Sequence, residues 1–280
     1  MSSQAEEVLF ALKEVTFAYG KDDAAVLRKL TLEIPAGKTT VIMGSSGAGK
    51  STLLSLLGLL WEQDRSHAWQ LREGSIAYRR EDLQTPQPHT VNYHDLSDAD
   101  RAYLRSNDFG FVLQSCYLLP FFTCLQNISM PLAMRGLSQS ECRQHVVDAL
   151  HRVAAILEES NLSYPGGDGS ATPQAIPEET IPSTPTANDM LGVLDEYKIA
   201  GGQRQRAAVL RALIHKPKII FADEPFSNLD PDNARQYLRI LKDWQSGRDA
   251  SADGGTVKAA ARRTLVIVCH DPRVAIEIGE

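Results

Sequence analysis

Apolar residues at a period of two predict the first strands of this chain. Val15, Phe17 and Tyr19 recur at every second position of a segment that begins at Leu9, which predicts a strand with one buried face. Residues 26–34 predict a second strand, because a Pro-Ala-Gly turn signal follows directly. Both strands precede a short apolar run at residues 39–43 that leads into a glycine-rich loop.

Two later apolar runs predict strands that are buried on both faces. Asp223 and Glu224 directly follow the run at residues 218–222, and His270 directly follows the run at residues 264–269. Continuous apolar strands of this kind are typical of parallel sheets. Ligands of such sheets bind beyond the carboxyl ends of the strands, which is where these three polar residues lie.

Helical spacing follows the glycine-rich loop and dominates the middle of the chain. Residues 51–60 are apolar nearly all round, which predicts a helix buried on most sides. A strand, a glycine loop and a buried helix are the opening of a parallel α/β domain. Residues 98–159 are mostly helical in pattern and predict an inserted helical subdomain. One apolar face of that segment consists of Leu150, Val153, Ala154 and Leu157.

Three polar stretches predict surface loops added to this core. Residues 79–95 contain two prolines, and residues 246–263 are rich in Gly, Ala and Ser. Residues 160–189 contain five prolines and three glycines but no Lys or Arg. Such a segment buries too little apolar surface to offset its ordering entropy, so we expect it to be disordered.

Composition and charge narrow the classes of function. Hydrophobic residues make up 43% of the 280 residues, and the formal net charge of −6 disfavours a nucleic-acid partner, for which a basic face is expected. The longest strongly apolar stretch, residues 53–61, is far shorter than the ~20 residues that span a bilayer, and residues 1–7 lack a secretory signal. We therefore expect no direct membrane insertion. The four cysteines lack C-x-x-C spacing, which predicts free thiols.

The glycine-rich loop fits the P-loop pattern G-x-x-x-x-G-K-[ST]. Glycines let backbone N–H groups curve around phosphate oxygens, and the following helix points its positive dipole end at the same oxygens. We expect Lys50 to reach the β- and γ-phosphates and Ser51 to ligate Mg²⁺. A chance match is a poorer explanation, because the loop follows a strand and opens a helix. The motif consists of Gly44, Ser45, Ser46, Gly47, Ala48, Gly49, Lys50 and Ser51.

The polar residues at the later strand ends are candidates for catalysis. Asp223 would hold Mg²⁺ through water, and Glu224 would polarise the attacking water as a general base. An Asp at a strand end is also a common helix N-cap, but the upstream P-loop favours the catalytic interpretation. We expect His270 to contact the γ-phosphate, although a lone histidine is more often structural.

A Gly-Gly pair begins another predicted helix. Gly201, Gly202 and Gln203 precede residues 204–215, and a helix cap alone explains this arrangement. A second phosphate-binding helix end is also explained if it serves the nucleotide of another subunit. The apolar stripe of this helix consists of Ala207, Leu210, Leu213 and Ile214.

These motifs in this order resemble those of the ABC ATPase family across nearly the whole chain. Residues 44–52, which add Thr52 to the P-loop, resemble its Walker A motif, and residues 219–224 resemble Walker B. The resemblance implies that Gln114 is the Q-loop glutamine, which touches Mg²⁺ and senses a membrane partner. It also implies that Asp230 belongs to the D-loop and that Tyr19 stacks on adenine, although Tyr19 and Phe17 also fit simple strand-face aromatics.

The signature motif departs from the family pattern. Gly201-Gly202-Gln203 resembles its core, but Ala200 stands where the family has serine and Ile199 where it has leucine. The serine hydroxyl bonds the γ-phosphate held by the opposing subunit, and losing a hydrogen bond to a charged group costs about 1.5–3 kcal/mol. We expect weaker function and not its loss, because the glycine amides and the helix dipole remain.

A narrower resemblance is to the lipoprotein-release and macrolide-export group, near the FtsE-like proteins. It is carried by residues 100–106, 110–114, 118–120, 131–132 and 135–136. Members pair with permeases that have few spans and a large extracytoplasmic domain. The resemblance implies a cytoplasmic protein that lies at the inner face of the cell membrane through its permease.

The resulting expectation is an α/β P-loop NTPase with a RecA-like core, an antiparallel β edge and an inserted α-helical subdomain. Residues 1–114 and 201–280 would form the core of one ABC domain, and residues 115–200 the helical subdomain. Two copies would close around two ATP molecules with Mg²⁺ and drive a permease on a separate chain. The alternative, motivated by Ala200, is an ATP-gated interaction switch with little turnover.

Overall fold

The chain folds into two compact units. The computed structural model describes residues 7–20, 23–61, 68–80, 88–161, 192–197, 201–227, 229, 231–247 and 263–270. The first unit takes residues 1–116, 215–228 and 244–280, and the second takes 117–214 and 229–243. The strands are β1 (Val8–Gly20), β2 (Leu27–Pro35), β3 (Thr39–Ile42), β4 (Ala68–Arg80), β5 (His89–Asn92), β6 (Phe109–Leu113), β7 (Ile219–Asp223) and β8 (Thr264–Val268). The helices are α1 (Lys50–Leu57), α2 (Asp98–Asn107), α3 (Cys124–Ala133), α4 (Gln139–Asn161), α5 (Gly201–Leu213) and α6 (Pro231–Ser246).

The first unit contains two sheets, which confirms the predicted parallel core with an antiparallel β edge. The antiparallel sheet has the order β2-β1-β4-β5, and the parallel sheet has the order β3-β8-β7-β6. Phe10 of β1 packs on Phe221 of β7 at a ring distance of 6.1 Å, and Phe109 of β6 packs edge-on against Phe221 at 5.3 Å. An aromatic core therefore joins the two sheets.

The parallel strands end in one row. Ile42 is the register partner of Val268, Val268 pairs with Asp223, and Asp223 pairs with Leu113. The segments that follow these four strands therefore begin at the same edge of the sheet. All five residues of β8 are buried, because the strand lies between two neighbours in the sheet and is covered on both faces.

A buried carboxylate organises the opposite edge of this sheet. The Asp108 side chain is 2% exposed, lies 2.7 Å from Arg80 Nε and 3.3 Å from Lys218 Nζ, and accepts a hydrogen bond from the Tyr78 hydroxyl. Burial, followed by the charge of Asp108, raises the pKa of Tyr78 well above its ordinary value. The carboxylate is compensated on several sides, as a buried charge must be, so we assign it a structural role.

The second unit is helical and has its own core. The α4 face that was predicted from sequence contributes Leu150, with Val153 and Ala154 packed beside the core. Backbone bonds tie a segment just before α5 to the start of α3, since Cys124 N–H donates to the Glu196 carbonyl at 2.9 Å. None of the helices in the described part of the chain combines the length and hydropathy of a membrane span.

Several sequence predictions differ from the structure. The predicted loop at 79–95 is wrong in part, because β4 extends to Arg80 and β5 follows at His89–Asn92. β5 is an edge strand with mostly exposed side chains, so it lacks the apolar alternation that identifies strands. The mostly helical segment at 98–159 contains an unpredicted strand, β6, and α2 falls in the first unit.

The predicted boundary between core and helical subdomain also differs from the division of the structure. Helix α5 was placed in the core, whereas it lies in the second unit. Its residues Ala207 and Leu210, and Ile214 directly after it, are buried in the helical core. An apolar stripe in the sequence does not say which partner covers it. The first two residues of the predicted disordered insertion at 160–189 are the last two residues of α4, so the prediction is wrong there. The rest of that insertion and most of the predicted loop at 246–263 lie outside the described residues.

Candidate functional site

Four candidate segments lie at the carboxyl edge of the parallel sheet, because each follows closely after the end of a strand. Gln114 follows the last residue of β6, and Glu224 follows the last residue of β7. His270 lies two positions beyond β8, and Gly44 lies two positions beyond β3. Because the last residues of these strands share one row, the four segments start side by side.

Glycine is required in the loop that joins β3 to α1. Gly47 has a φ of 78° and Gly49 a φ of 85°, both in the left-handed region that favours glycine. Gly49 is also the N-cap of α1, and a Cβ there would lie 3.0 Å from Leu27 Cδ2. A glycine N-cap supplies no side chain to the N–H groups of the first helical turn, so those groups remain for an external anion.

The Lys50 ammonium folds back over this loop. Its Nζ donates hydrogen bonds to the carbonyls of Gly44 and Ser45, at 2.9 Å and 2.8 Å. The residues from Gly44 to Ala48 are exposed, so the loop is open to solvent. A positive group and a helix N-terminus at one exposed loop form an electrostatic setting that fits a polyphosphate.

Ser51 and Asp223 are the residues that fit a magnesium ion. Ser51 Oγ donates to Asp223 Oδ1 at 3.1 Å, so a hydroxyl and a carboxylate oxygen already converge. Hard cations such as Mg²⁺ bind oxygen ligands, usually with few from the protein. In the described residues no group of three or more His, Cys, Asp or Glu side chains could hold a metal by itself, so phosphate and water would complete the coordination.

Burial and charge act in opposite directions on Asp223. Half-burial raises the pKa of its carboxyl above the ordinary value, the hydrogen bond from Ser51 lowers it, and the neighbouring Glu224 charge raises it again. A cation at this position would remove much of that electrostatic cost, since it favours the ionised carboxylate. The environment of Asp223 is therefore that of a carboxylate suited to a positive ligand.

Glu224 is held from three directions. Its N–H donates to the Val268 carbonyl at 3.0 Å, its Oε1 lies 3.1 Å from His270 Nδ1, and its Oε2 accepts a hydrogen bond from Gln114 Nε2 at 3.5 Å. Its φ of 44° lies in the left-handed region, where a residue with a Cβ is uncommon. The strain and the contacts fix a carboxylate at the edge of an exposed site, with His270 still 60% exposed beside it.

Tyr19 differs from the other aromatic residue of its strand face. Phe17 is fully buried, whereas Tyr19 is 39% exposed and contacts Phe17 edge-on at a ring distance of 5.8 Å. Its hydroxyl forms a hydrogen bond of 2.5 Å with Thr52 Oγ1 on α1. Sequence reasoning named both residues but missed this contact, because 33 positions separate them and no local pattern links them.

The remaining candidates lie in the second unit or outside the described residues. Gly201 and Gly202 are the first two residues of α5, and Gln203 follows in the first turn. Ala200 and Asp230 lie outside the described residues.

An exposed aromatic loop in the second unit was not singled out as a site from sequence. Phe121 is 86% exposed and Tyr117 65% exposed, and Phe122 is also on the surface. The buried Asn127 holds the loop, since its Oδ1 accepts from Leu119 N–H at 2.7 Å and its Nδ2 donates to the Leu119 carbonyl at 3.1 Å. These hydrogen bonds hold the backbone of the loop while its aromatic side chains are exposed to solvent.

Comparison with known proteins gives concordant matches in sequence and structure. The profile of the ABC transporter family matches residues 27–227. The lipoprotein-releasing system ATP-binding protein LolD of Psychrobacter arcticus is 32% identical over 91% of this chain and 85% of its own length. The macrolide export ATP-binding/permease protein MacB of Syntrophobacter fumaroxidans is 30% identical over 93% of this chain, which spans 28% of that protein.

Two solved structures are similar to the whole chain. The dimeric structure of MJ0796, a bacterial ABC transporter cassette, has a TM-score of 0.63 and 26% identity, covering 96% of this chain and 90% of that one. A dimeric post-hydrolysis state of the same cassette, bound to ADP and Pi, has a TM-score of 0.63 with 95% and 90% coverage.

Proposed function

This chain belongs to the ABC transporter family as an ATP-binding and ATP-hydrolysing subunit, and from this premise we propose how its own residues perform that work. The observation that carries the proposal is the convergence of Lys50, Ser51, Asp223 and Glu224 at the carboxyl edge of the parallel sheet. These residues supply a cation for phosphate, two oxygen ligands for a metal and a fixed base.

Lys50 and the amides of the loop bind the phosphates in this proposal. The Lys50 ammonium exchanges the carbonyls of Gly44 and Ser45 for phosphate oxygens, which are better partners for a positive charge. The N–H groups at the start of α1 add fixed partial charges of the same sign. Tyr19, on the other side of the helix start, offers its exposed ring to the base.

Ser51, Asp223 and Gln114 are the residues that would hold Mg²⁺. Its presence would neutralise negative charge on the phosphates. Ser51 and Asp223 already share a hydrogen bond, and Gln114 lies on the adjacent strand end. Asp223 is suited to this role because burial raises the pKa of its carboxyl more than the Ser51 hydrogen bond and the Lys50 charge lower it.

Glu224 is the general base in this scheme. A carboxylate that orients and polarises a water contributes through positioning, and the left-handed φ of Glu224 sets the direction in which its side chain leaves the backbone. His270 and Gln114 contact its two oxygens and keep the carboxylate from turning away. His270 is exposed enough to reach a terminal phosphate from the same place.

The proposed assembly consists of two copies of this chain and a permease. The glycine amides at the start of α5 lie in the other unit from the phosphate loop, which suits a role towards the nucleotide of a second copy. The cassette that this chain resembles at 26% identity was solved as a dimer. We place the pair at the inner face of the cell membrane, held there by a permease on a separate chain, as in the lipoprotein-release group.

The proposal is tested by the rate of Mg²⁺-dependent ATP hydrolysis at increasing concentrations of the purified chain. A site completed by a second copy gives a rate that rises more steeply than the first power of concentration until the dimer saturates. A rate strictly proportional to concentration would contradict the shared site. ATP binding without turnover at any concentration, also with permease present, would favour the ATP-gated switch.

Replacement of Ala200 measures what the missing signature hydroxyl costs. The Ala200→Ser variant should hydrolyse ATP about tenfold to a hundredfold faster at equal concentration, because one hydrogen bond to a charged phosphate is worth about 1.5–3 kcal/mol. Ala200→Gly, which adds no hydroxyl, is the matched control. Equal rates for Ala200→Ser and the natural chain would mean that this position does not face a phosphate.

The exposed loop at residues 117–122 is the permease contact that we propose in the second unit. It begins three residues after Gln114 in sequence, and Phe121 is largely in water. Exposed aromatic side chains of this kind are enriched at interface hot spots. The loop would bind an apolar segment at the inner face of the permease.

Removal of the Phe121 ring should weaken that contact. Phe121→Ala is expected to lower the affinity for the permease in mild detergent by about tenfold, since a hot-spot truncation costs about 1–2 kcal/mol or more. Tyr197→Ala, which removes a 63% exposed ring elsewhere in the same unit, is the control. Equal retention of the permease by both variants would show that the loop is not its contact.

A further inference from the structure

The first turn of α1 directs three successive side chains to three different places. Lys50 contacts the carbonyls of the loop, Ser51 contacts Asp223, and Thr52 contacts the Tyr19 hydroxyl. Consecutive residues of an α-helix point about 100° apart, because one turn takes 3.6 residues. The helix start therefore fixes the position of the Tyr19 ring in the same turn that fixes the phosphate and metal residues.

Thr52 is a rigid partner for this contact. Its side chain is only 6% exposed, and its branched Cβ restricts χ1 in a helix. Its Oγ1 lies 2.5 Å from the Tyr19 hydroxyl, at the short end of the range for a hydrogen bond between two hydroxyl groups. The tip of a partly exposed ring is thus hydrogen-bonded to a buried side chain with few rotamers.

The backbone on both sides of Tyr19 is also held. Val26 N–H donates to the Phe17 carbonyl at 2.8 Å, and Arg72 Nη2 on β4 donates to the Gly20 and Asp23 carbonyls at 2.7 Å and 2.8 Å. These bonds fix the end of β1, and the edge contact with Phe17 supports one side of the ring. The hydrogen bond to Thr52 restrains the tip of the Tyr19 side chain.

We infer that Thr52 is a positioning residue for the base: its hydroxyl holds the Tyr19 ring in place before the nucleotide binds. This role depends on the proposed ATP site and deepens it, because it adds a preference for triphosphates that carry an aromatic base. A ring that is already fixed loses no rotational freedom on stacking, and preorganisation of this kind raises affinity without adding a contact. The phosphates gain nothing from it.

The test compares binding of ATP with binding of inorganic triphosphate, both with Mg²⁺, by titration calorimetry. Tyr19→Phe keeps the ring and removes the hydroxyl, and Thr52→Val keeps the shape of the side chain and removes its hydroxyl. Tyr19→Phe should weaken ATP binding by about threefold to tenfold and leave triphosphate binding unchanged, since one side chain regains its rotamers. In hydrolysis, KM for ATP should rise while kcat stays close to that of the natural chain.

The double variant shows whether the two hydroxyls act through each other. The ratio of ATP affinity to triphosphate affinity should fall equally in Tyr19→Phe, Thr52→Val and the double variant, and Thr52→Ser should restore it. Tyr197→Phe removes a hydroxyl from an exposed tyrosine in the other unit and is the control. Tyr19→Phe is decisive even if the Thr52 variants fold poorly.

Three results would overturn the inference. One is ATP binding by Tyr19→Phe that equals the natural chain, and another is an equal loss of ATP and triphosphate binding in that variant. The third is a ratio that falls further in the double variant than in either single one. If the natural chain binds neither ATP nor triphosphate, the proposed site at Lys50 itself is wrong, which is a different result.

Discussion

The Glu224→Gln variant should bind ATP about as well as the natural chain and hydrolyse it at least about a hundredfold more slowly. A positioned general base contributes roughly 10²- to 10⁴-fold, and an amide cannot accept the proton of water at neutral pH. The loss should appear in kcat, with dimerisation in the presence of ATP retained. Single-turnover hydrolysis and an equilibrium ATP titration measure the two effects separately.

The surroundings of Glu224 make glutamine a fair replacement in shape. The left-handed φ of 44° is no more costly for Gln than for Glu, and the N–H bond to Val268 is kept. One of the two side-chain partners, His270 or Gln114, can still donate to the remaining carbonyl oxygen. A loss of hydrolysis would therefore report on the carboxylate and not on a collapsed strand end.

A charge control separates catalysis from a general electrostatic effect. Glu33→Gln removes the same charge from an exposed position on β2 in the same unit, and it should hydrolyse ATP at the natural rate. If Glu224→Gln kept more than a tenth of the natural rate while folding normally, Glu224 would not be the base. The role would then pass to another group at this edge.

The Lys50→Ala variant should lose at least about a hundredfold in affinity for ATP. In the structure the Lys50 ammonium donates hydrogen bonds to two backbone carbonyls, and in the proposed complex it donates to phosphate oxygens instead. Hydrogen bonds to charged groups contribute about 1.5–3 kcal/mol each, so the loss of two such bonds predicts this magnitude. Equilibrium dialysis with labelled ATP measures the constant directly.

Lys13→Ala is the matched control for Lys50→Ala, since Lys13 is an exposed lysine on β1 of the same unit. It should bind ATP like the natural chain. The salt dependence of binding should also be shallower in Lys50→Ala, because one phosphate contact is gone. If Lys50→Ala bound ATP within about threefold of the natural chain, the triphosphate would not lie at this loop. The loss would then be much smaller than two hydrogen bonds to phosphate predict.

The positions of these residues at the strand ends could be predicted from the sequence because the patterns that place them are local. Strand, loop and helix patterns around Lys50, and apolar runs that stop at Asp223 and His270, depend on neighbours within a few residues. The parallel register then brings the ends of these strands together, as expected for strands of one sheet. Their roles as nucleotide and metal ligands remain predictions that the variants above test.

Other parts of the molecule depend on contacts between distant residues and could not be predicted in this way. The hydrogen bond between Tyr19 and Thr52 joins a strand end to a helix. Asp108 contacts Arg80 on β4 and Lys218, which lies just before β7. The edge strand β5 is polar on most of its side chains, so its sequence resembles that of a loop. Helix α5 carries an apolar stripe that either unit could have covered.

The strand order β3-β8-β7-β6 also has a consequence for synthesis on the ribosome. β8 is the last described strand to be translated, yet it fills the gap between β3 and β7. Until residues 264–268 are released, both neighbours have an open edge of unpaired N–H and C=O groups. Most of the helical unit, residues 117–214, is translated well before that point. A nascent chain is therefore expected to need protection by chaperones at these two strand edges until residues 264–268 have left the ribosome.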